Sequence, residues 1–371
     1  GRQRLKRGGA TRALGPPDRI GLMRVLVTGG AGFLGSHTVS VLLDAGHDVL
    51  VLDSLVSSTT VPLERVAELA EVTFGGPRLR FHRADVREPT SYRGAVVAFG
   101  PDAVVHFAGL KSPTESLADP ASYYTVNVAG TAAVAEVAGA AGARAFVFSS
   151  SATVYGDEAP VPVGEDAAVA PVTPYGHSKL MAEQVLRHVH EAGRHMGVAV
   201  LRYFNPVGAH PSGRLGEDPQ GVPANLMPFV ARVAGGRYEQ LNVFGADFAT
   251  RDGSAVRDFI HVMDLAEAHV ATLEWMIAQP ADEVGVQVWN IGRGEGVTVF
   301  EMIQTFERVT GRPVPFQVVG RRPGDIAASC ASVDAIAATV GWRASRDTDA
   351  MVRDLWAWQQ ANPSGYAGDA P

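Results

Sequence analysis

The chain contains almost no cysteine. Cys330 is the single cysteine among 371 residues, so an intramolecular disulfide is impossible and a cysteine-based metal site is excluded. Low cysteine content is typical of the reducing cytoplasm, and we predict a cytoplasmic location. His188, His190 and His195 resemble a metal cluster in the sequence, but residues two apart point to different faces of a helix. We therefore predict no metal ion.

A long apolar segment and a basic body are also missing. No stretch approaches the roughly 18–20 apolar residues that a membrane helix requires, so we expect no membrane span. The formal net charge is −7, and because residues 1–22 alone carry +5, the body from Met23 onward carries −12. So acidic a body argues against nucleic-acid binding.

Residues 1–22 form a basic leader without an apolar centre, which is not the pattern of a secretory signal. A transit peptide remains an alternative, because such peptides are rich in Arg and poor in acidic residues. A second alternative is that the start of the protein has been assigned too far upstream, since Met23 stands directly before the first predicted strand. We expect a disordered leader outside the fold.

From Met23 onward, short β-branched segments alternate with segments of helical periodicity. The predicted strands cover 24–28, 48–53, 79–85, 103–109, 145–150 and 198–204, and the predicted helices cover 36–45, 62–70, 90–99, 123–139 and 175–195. The strands are apolar almost throughout, which is typical of strands buried on both faces. This alternation predicts an α/β fold with a Rossmann doubly wound parallel sheet.

After Phe204 the alternation ends. Residues 205–221 are rich in Gly and Pro and predict a long loop, which in a compact domain is usually functional. Short strands (241–244, 286–291, 315–319) and helices (262–277, 299–309, 347–360) follow. We predict an NAD-binding Rossmann domain over 23–205 and a smaller α/β substrate-binding domain over 206–371, with some later segments returning to the first domain.

The segment TGGAGFLGSH, directly after the first strand, carries the cofactor signal. Gly29, Gly32 and Gly35 are spaced so that the turn can take a positive φ, the backbone can approach a pyrophosphate and a helix N-terminus can bind it. The flanking strand and helix make this pattern specific. Asp53 ends the second strand, where an acid accepts hydrogen bonds from the adenosine ribose and repels a 2′-phosphate. We therefore predict NAD rather than NADP.

Further candidate cofactor contacts lie in the glycine turn and after the strands. Asp85 with Val86 suits adenine recognition, although an aspartate in a turn explains it equally well. Ligands of such sheets gather beyond the carboxyl ends of the strands. The remaining candidates are Phe33, Leu34, Ser54, Ser57, Ser58, Phe107, Ala108, Gly109 and Lys111.

Tyr175 and Lys179 carry the chemical signal. Spaced i, i+4 on a predicted helix, they lie on one face. A phenol with a pKa near 10 is a poor base at neutral pH, but a nearby ammonium and the positive nicotinamide ring would both lower the pKa of Tyr175. We predict that this pair is a general base in hydride chemistry, with the serine cluster that contains Ser151 close by.

Five segments carry a resemblance to a known family: TGGAGFLGSH, HFAGLKSPTES, FVFSSSATVYG, PYGHSK and RYFNPVGAHPSGRLGEDPQGVPANLMPF. They resemble the extended short-chain dehydrogenases/reductases and, within them, the UDP-glucose 4-epimerases, from about Met23 to Tyr366. The resemblance implies that Tyr175, aided by Ser151, removes the proton of the sugar 4′-hydroxyl. It also implies that hydride passes to tightly bound NAD, that the 4-keto sugar turns over, and that the hydride returns to its other face.

The resemblance also implies binding residues and assembly. It implies cofactor contacts for Lys179, Asn127 and Phe204 and a homodimer formed through a helix pair beside the catalytic helix. It implies contacts with a UDP-hexose for Ser151, Tyr175, Asn205, Asn225, Leu226, Asn242, Phe244, Arg257, Arg322, Asp325 and Ser329. Guanidinium groups suit the diphosphate, although Arg257 beside Asp258 is also compatible with a structural ion pair.

Ser329 bears on the choice of sugar. In the family, the matching residue after the Arg-x-Gly-Asp motif walls the 2-substituent of the sugar. Because serine is small, the resemblance implies interconversion of UDP-galactose and UDP-glucose and also acceptance of their N-acetylated counterparts. An epimerase acting on a pentose or uronic-acid nucleotide remains the alternative.

Two other functions fit less well. A sugar-nucleotide dehydratase needs an acidic pair beside the serine, where this chain has Ala152 and Thr153. An NAD-sensing protein without catalysis need not keep Tyr175 and Lys179. We therefore predict an NAD-dependent 4-epimerase, an isomerase.

Overall fold

The computed structural model describes residues 21–193, 196–280, 283–322 and 325–369. The predicted leader lies outside the described residues except for Gly21 and Leu22. His195 and the Pro-Gly pair at 323–324 also lie outside them.

The elements follow one another as strands and helices in alternation up to β6 and less regularly afterwards. The strands are β1 (Arg24–Thr28), β2 (Asp48–Asp53), β3 (Leu79–Arg83), β4 (Ala103–His106), β5 (Ala145–Ser151), β6 (Gly197–Tyr203), β7 (Asn205–Val207), β8 (Leu241–Phe244), β9 (Val256–His261), β10 (Val286–Ile291), β11 (Gly296–Thr298), β12 (Phe316–Val319) and β13 (Ala328–Ser329). The helices are α1 (Phe33–Asp44), α2 (Val61–Leu69), α3 (Pro89–Phe99), α4 (Pro113–Ala118), α5 (Pro120–Tyr123), α6 (Gly130–Ala140), α7 (Pro174–Glu191), α8 (Leu226–Ala234), α9 (Val262–Ala278), α10 (Val299–Thr310), α11 (Asp334–Thr339) and α12 (Thr348–Ala361). A π-helical turn covers Tyr124–Ala129, and 3-10 turns cover Ala152–Val154 and Gly365–Asp369.

A parallel sheet in the order β10-β6-β5-β4-β1-β2-β3 forms the centre of the large lobe. Along β1 the side chains alternate between two separate cores. Val25 and Val27 pack with residues of α1 and α9, whereas Leu26 packs on the opposite face with residues of α3, α6 and α7. Burial on both faces explains the continuous apolar strands, and the predicted doubly wound fold is confirmed.

The small lobe has two further sheets. β9 lies between β11 and β13 and also pairs with β7, while β12 pairs with β8. A third core, to which Val230, Phe306 and Leu355 contribute, joins α8, α10 and α12 beneath these strands.

The structure differs from the sequence prediction in several elements. The sequence predicted that some later segments return to the first domain without saying which: β10 pairs parallel with β6 and α9 packs on α1, so both lie in the large lobe. The predicted helix over 123–139 is divided into α5, the π-helical turn and α6, and the predicted loop over 205–221 begins with β7. The bounds of the two domains, 23–205 and 206–371, remain a prediction. Among the described helices, none combines the length and the apolar character needed to cross a membrane.

Candidate active site

The glycine turn between β1 and α1 brings three backbone segments into close contact. Gly29 has a φ of +70°, and a Cβ there would lie 2.7 Å from the amide nitrogen of Ala108. A Cβ on Gly35 would lie 2.2 Å from the carbonyl oxygen of Gly29. Helix α1 begins at Phe33 without a side-chain cap, so its first amides, including that of Leu34, point out of the turn. A turn with glycine at its closest contacts and open amides at the helix start fits a pyrophosphate.

Asp53 joins the end of β2 to this turn. Its Oδ2 accepts a hydrogen bond from the amide of Ala31 at 3.0 Å, and its Oδ1 accepts from the amide of Leu55 at 2.9 Å and from the Ser58 hydroxyl at 3.3 Å. Ser54 is half-buried and Ser57 is exposed beside it. The carboxylate therefore lies where the adenosine ribose is expected.

Asp85 and Val86 follow β3 at the same edge of the sheet. Asp85 forms an ion pair with Arg87 at 2.6 Å, and the hydrogen bonds from Arg87 lower the pKa of Asp85. Val86 is buried against Gly130 of α6. The contacts of Asp85 are those of a turn aspartate, and its role in adenine recognition stays a prediction.

The loop after β4, with Phe107, Ala108 and Gly109, is held by Asn127. The Asn127 amide donates to the carbonyl of Leu110 at 3.0 Å, and its oxygen accepts from the Leu110 amide at 2.8 Å. Asn127 also donates to the Ser178 hydroxyl at 2.9 Å on α7. It lies in the π-helical turn, a feature frequently found at functional sites.

Lys111 continues this loop toward the small lobe. Its Nζ lies 3.4 Å from Oε1 of Glu217, and the same oxygen accepts a hydrogen bond from the Asn225 amide at 3.2 Å. A predicted cofactor residue and a predicted substrate residue are thus connected through Glu217, which the sequence analysis did not select.

Tyr175, Lys179 and Ser151 are brought together at the carboxyl ends of β4 and β5. Thr173 caps α7, its hydroxyl accepting from the Gly176 amide at 3.2 Å, so Tyr175 lies in the first turn. The Nζ of Lys179 donates to the carbonyl of Ser149 at 2.7 Å and lies 6.0 Å from the centre of the Tyr175 ring. Both side chains are buried, as a general base shielded from bulk water requires.

The electrostatics of the pair differ from our expectation. We expected the ammonium to lower the pKa of Tyr175, but burial raises it, and the opposing influence is the hydrogen bond with Ser151. Burial also lowers the pKa of Lys179 to about 8. Desolvation, which the sequence spacing does not reveal, dominates both groups.

Ser150, Glu183 and Arg202 form a buried cluster next to this site, and the sequence analysis named none of them as a candidate residue. Arg202 donates to Glu183 from Nε at 3.1 Å and from Nη2 at 2.7 Å, and the Ser150 hydroxyl also donates to this carboxylate. Glu183 stands four residues after Lys179, on the face that we had assigned to catalysis, and Arg202 interrupts an apolar strand. Both were available signals, because a buried arginine needs an acidic partner.

The predicted substrate residues lie mainly on the strands of the small lobe. Asn205 is on β7, Asn242 and Phe244 on β8, Arg257 on β9 and Ser329 on β13, while Asn225 precedes α8 and Leu226 begins it. Phe204 is buried directly before β7. Ser329 and Arg257 are register partners across β13 and β9. The Arg322 guanidinium stacks 3.7 Å from the centre of the Phe244 ring.

Arg257 is not paired with Asp258. Its Nη1 donates to the carbonyls of Val256 and Ile326, and its Nη2 lies 3.7 Å from Oδ1 of Asp325. Asp258 is buried and accepts hydrogen bonds from the backbone amides of Arg293, Gly294 and Ala331. The ion pair that the sequence left open is absent, and the acidic partner of Arg257 is Asp325. No three His, Cys, Asp or Glu side chains of the described residues are grouped so as to hold a metal ion.

Comparisons with known proteins agree with this geometry. Residues 25–292 match the NAD dependent epimerase/dehydratase family. The UDP-glucose 4-epimerase of Bacillus subtilis (strain 168) is 47% identical over 344 residues, which are 93% of this chain and 99% of that protein.

Two crystal structures extend the likeness to three dimensions. That of the UDP-glucose-4-epimerase from Stenotrophomonas maltophila, with bound NAD and formylated UDP-arabinopyranose, is 43% identical with a TM-score of 0.87. That of UDP-glucose 4-epimerase from Bifidobacterium longum, in complex with NAD+ and UDP, is 43% identical with a TM-score of 0.86. Each comparison covers 92% of this chain and 99% of the other. The chain therefore belongs to the NAD dependent epimerase/dehydratase family and, within it, to the UDP-glucose 4-epimerases.

Proposed function

We propose that this enzyme interconverts UDP-galactose and UDP-glucose through a transient 4-keto sugar, with NAD as its cofactor. The observation that carries the proposal is the buried set of Tyr175, Ser151 and Lys179 beside the glycine turn. The similarity to the UDP-glucose 4-epimerases named above also supports the proposal.

The residues of the large lobe fit NAD. The open amides of the glycine turn bind the pyrophosphate, Asp53 the adenosine ribose, and Lys179 the nicotinamide ribose. Ser54, Ser57, Ser58, Asp85 and Val86 border the adenosine, and Phe107, Ala108, Gly109, Lys111, Asn127 and Phe204 border the nicotinamide half. When bound, NAD accepts a hydride from the sugar and returns it, and its positive ring favours the phenolate of Tyr175.

Tyr175 moves the proton. Its Oη takes the proton of the 4′-hydroxyl when the sugar is oxidised and gives it back when the sugar is reduced, so the enzyme ends each cycle unchanged. Ser151, which hydrogen-bonds to Tyr175, orients that phenol toward the substrate. Lys179 keeps a positive charge close to the phenol, and burial of both groups excludes water.

The small lobe binds the UDP moiety. Arg257 and Arg322 offer guanidinium groups to the diphosphate, and Asp325 holds Arg257 in place. Asn205, Asn225, Leu226, Asn242 and Phe244 surround the nucleotide and the sugar. Ser329, directly opposite Arg257, leaves room for a 2-substituent, so UDP-N-acetylgalactosamine and UDP-N-acetylglucosamine are also substrates.

An epimerase of a pentose or uronic-acid nucleotide is the alternative. The observation in its favour is that the Stenotrophomonas maltophila relative was solved with formylated UDP-arabinopyranose. The same catalytic residues serve either sugar, so only turnover separates the two.

The test is incubation with UDP-galactose, UDP-N-acetylgalactosamine and UDP-xylose, with products resolved by chromatography and Tyr175→Phe as the control. We expect turnover of the first two and a loss of at least about 100-fold in the variant, the usual size of an acid–base contribution. Unchanged activity of Tyr175→Phe would contradict the mechanism. Absence of turnover of UDP-N-acetylgalactosamine would contradict the role of Ser329, and turnover of UDP-xylose alone would favour the alternative.

We also propose a cytoplasmic homodimer. Two large apolar side chains are exposed at the catalytic helix: Leu117 of α4 is 65% exposed and Met181 of α7 is 42% exposed. Exposed apolar side chains of this size indicate an interaction surface. In the proposed dimer, a second copy of this chain covers both side chains. Sedimentation at micromolar concentration tests this: a monomer of 39.1 kDa, or a dimer unaffected by Met181→Lys, would contradict it. Fractionation of the native cells tests the location.

A further inference from the structure

Three consecutive serines of β5 contact three successive turns of α7. Ser151 hydrogen-bonds to Tyr175, the carbonyl of Ser149 accepts from Lys179, and the hydroxyl of Ser150 donates to Glu183. Because Tyr175, Lys179 and Glu183 are four residues apart, all three project from one face of the helix. The first two contacts belong to the proposed chemistry, whereas the third lies one turn beyond it.

Glu183 is the centre of a buried ion pair. Its side chain is 8% exposed and that of Arg202 is 7% exposed. The carboxylate accepts two hydrogen bonds from Arg202 and one from Ser150, so it joins α7 to both β5 and β6. A bidentate pair of this kind has a defined geometry, which a single point contact lacks.

The ion pair is itself held in place from the other side. The Arg202 guanidinium stacks 4.8 Å from the centre of the Tyr155 ring, and the Tyr155 hydroxyl donates to Asn290 of β10 at 2.7 Å. Asn290 in turn donates to the carbonyl of Val163 at 2.8 Å. Glu183 is therefore fixed to the sheet and not merely to its own helix.

We propose that Glu183, held by Ser150 and Arg202, is a positioning residue for catalysis that sets α7 against β5 and keeps Lys179 in its ammonium form. The proposal deepens the epimerase function proposed above and rests on it for the meaning of Lys179. It assigns a role to a contact that neither the reacting sugar nor the cofactor requires.

The charges around Lys179 explain the second part of this role. His106 on β4 and Tyr175 on α7 are its uncharged titratable neighbours, and burial holds the pKa of His106 at about 3. Tyr123 on α5 and Tyr203 on β6 lie against Tyr175. The charged neighbours are Glu183 and, behind it, Arg202. Burial lowers the pKa of Lys179, and Glu183 raises it. Removing the carboxylate alone takes away the one charge that raises the pKa of Lys179 and leaves Arg202 without its acidic partner.

The lysine content of the chain makes a direct test practical. Lys6, Lys111 and Lys179 are its only lysines, so protein labelled with 13C-lysine gives few side-chain signals, and Lys179→Met assigns the one of interest. We expect Glu183→Gln to lower the pKa of Lys179 by about one pH unit or more. Glu191→Gln, an exposed glutamate of the same helix, is the matched control and leaves it unchanged.

Activity gives the second readout. The alkaline limb of the kcat profile for UDP-galactose moves to lower pH in Glu183→Gln by the same amount as the Lys179 titration, and stays in place in Glu191→Gln. If Glu183→Gln does not fold, Glu183→Gln with Arg202→Met removes both charges and leaves no unpaired ion. In that double variant we expect kcat to fall about tenfold or more at unchanged KM, because the contacts that set α7 are lost while the binding lobe is intact.

An unshifted Lys179 titration in Glu183→Gln overturns the charge-holding role, and an unchanged kcat in the double variant overturns the positioning role. Failure of the proposed function gives a different result. Wild-type enzyme would then not turn over UDP-galactose, while the NMR titration would still report on Glu183.

Discussion

Lys179 is the buried cation of the site, 5% exposed, and its pKa falls from 10.5 to about 8 because burial removes its hydration. The unfolded lysine holds its proton up to about pH 10.5. Between pH 8 and 10.5 the unfolded state therefore binds more protons, and stability falls as the pH drops through this range. Below pH 8 the loss is complete, at about 3 kcal/mol for a shift of this size. The ammonium that the site keeps close to the Tyr175 ring thus opposes folding.

We predict that Lys179→Met raises the free energy of unfolding by about 1 to 3 kcal/mol at pH 7 while it abolishes epimerisation. The lower end allows for the hydrogen bond lost at the carbonyl of Ser149. Urea denaturation measures the gain, which shrinks as the pH rises from 8 toward 10.5 because the folded lysine is then already neutral and the unfolded one begins to lose its proton.

Arg187→Met is the matched control for Lys179→Met, since Arg187 is an exposed cation of the same helix. Its stability should stay within about 0.5 kcal/mol of wild type. A Lys179→Met variant less stable than wild type at pH 7 would refute the prediction.

The position of helix α1 depends on close backbone contacts that leave no room for a side chain at Gly35. A Cβ on Gly35 would lie 2.2 Å from the Gly29 carbonyl oxygen and 2.6 Å from the Cα of Gly30. These are main-chain atoms of the cofactor turn, so they cannot rotate away as a flexible side chain would. The same contact that brings α1 close to β1 therefore shapes the site.

We predict that Gly35→Ala lowers stability by about 2 kcal/mol or more and weakens NAD binding, because the turn must open to admit the methyl group. Urea denaturation and titration with NAD measure the two effects. Gly94→Ala on α3 is the control: nothing lies within 4 Å of its Cβ, and it should be neutral or slightly stabilising. Equal behaviour of the two variants would contradict the prediction.

The sequence predicted the individual strands, helices and turns better than it predicted which of them pair or pack together. The TGGAGFLGSH turn and the Tyr175–Lys179 face were predictable because local geometry and periodicity define them. The pairing of β10 with β6 was not predictable, because the sequence of an apolar strand does not indicate which strand it pairs with. The break of the predicted helix over 123–139 at Asn127 was also hidden, since Asn127 contacts Leu110 and Ser178, which lie 17 and 51 residues away in the sequence.

Three buried histidines with strongly lowered pKa values make the stability of the whole molecule depend on pH. Burial lowers the pKa of His37 and of His106 to about 3 and that of His269 to about 4. His37 and His269 donate from Nδ1 to main-chain carbonyls of Phe33 and Leu265, and His106 lies between two threonine hydroxyls. All three are neutral in the folded state, on α1, β4 and α9, so they titrate only when both layers of the large lobe open.

We predict that stability falls steeply as the pH drops from about 6.5 toward 4. The unfolded histidines take up protons below pH 6.5, whereas the folded ones do not until the pH nears their lowered pKa values, so folding loses about 2 kcal/mol per histidine by pH 5. Urea denaturation at pH 7, 6 and 5 measures this, and these three residues contribute nearly three protons to the uptake on unfolding at pH 5.

The proton count separates this cause from general acid sensitivity. His106→Asn removes one buried histidine, so its stability falls with a slope smaller by about one proton, even if the variant starts less stable. His188→Gln removes an exposed histidine of α7 and leaves the slope unchanged. A stability that stays constant between pH 7 and 5 would mean that these histidines titrate in the folded protein, and that the two layers of the large lobe admit water without unfolding.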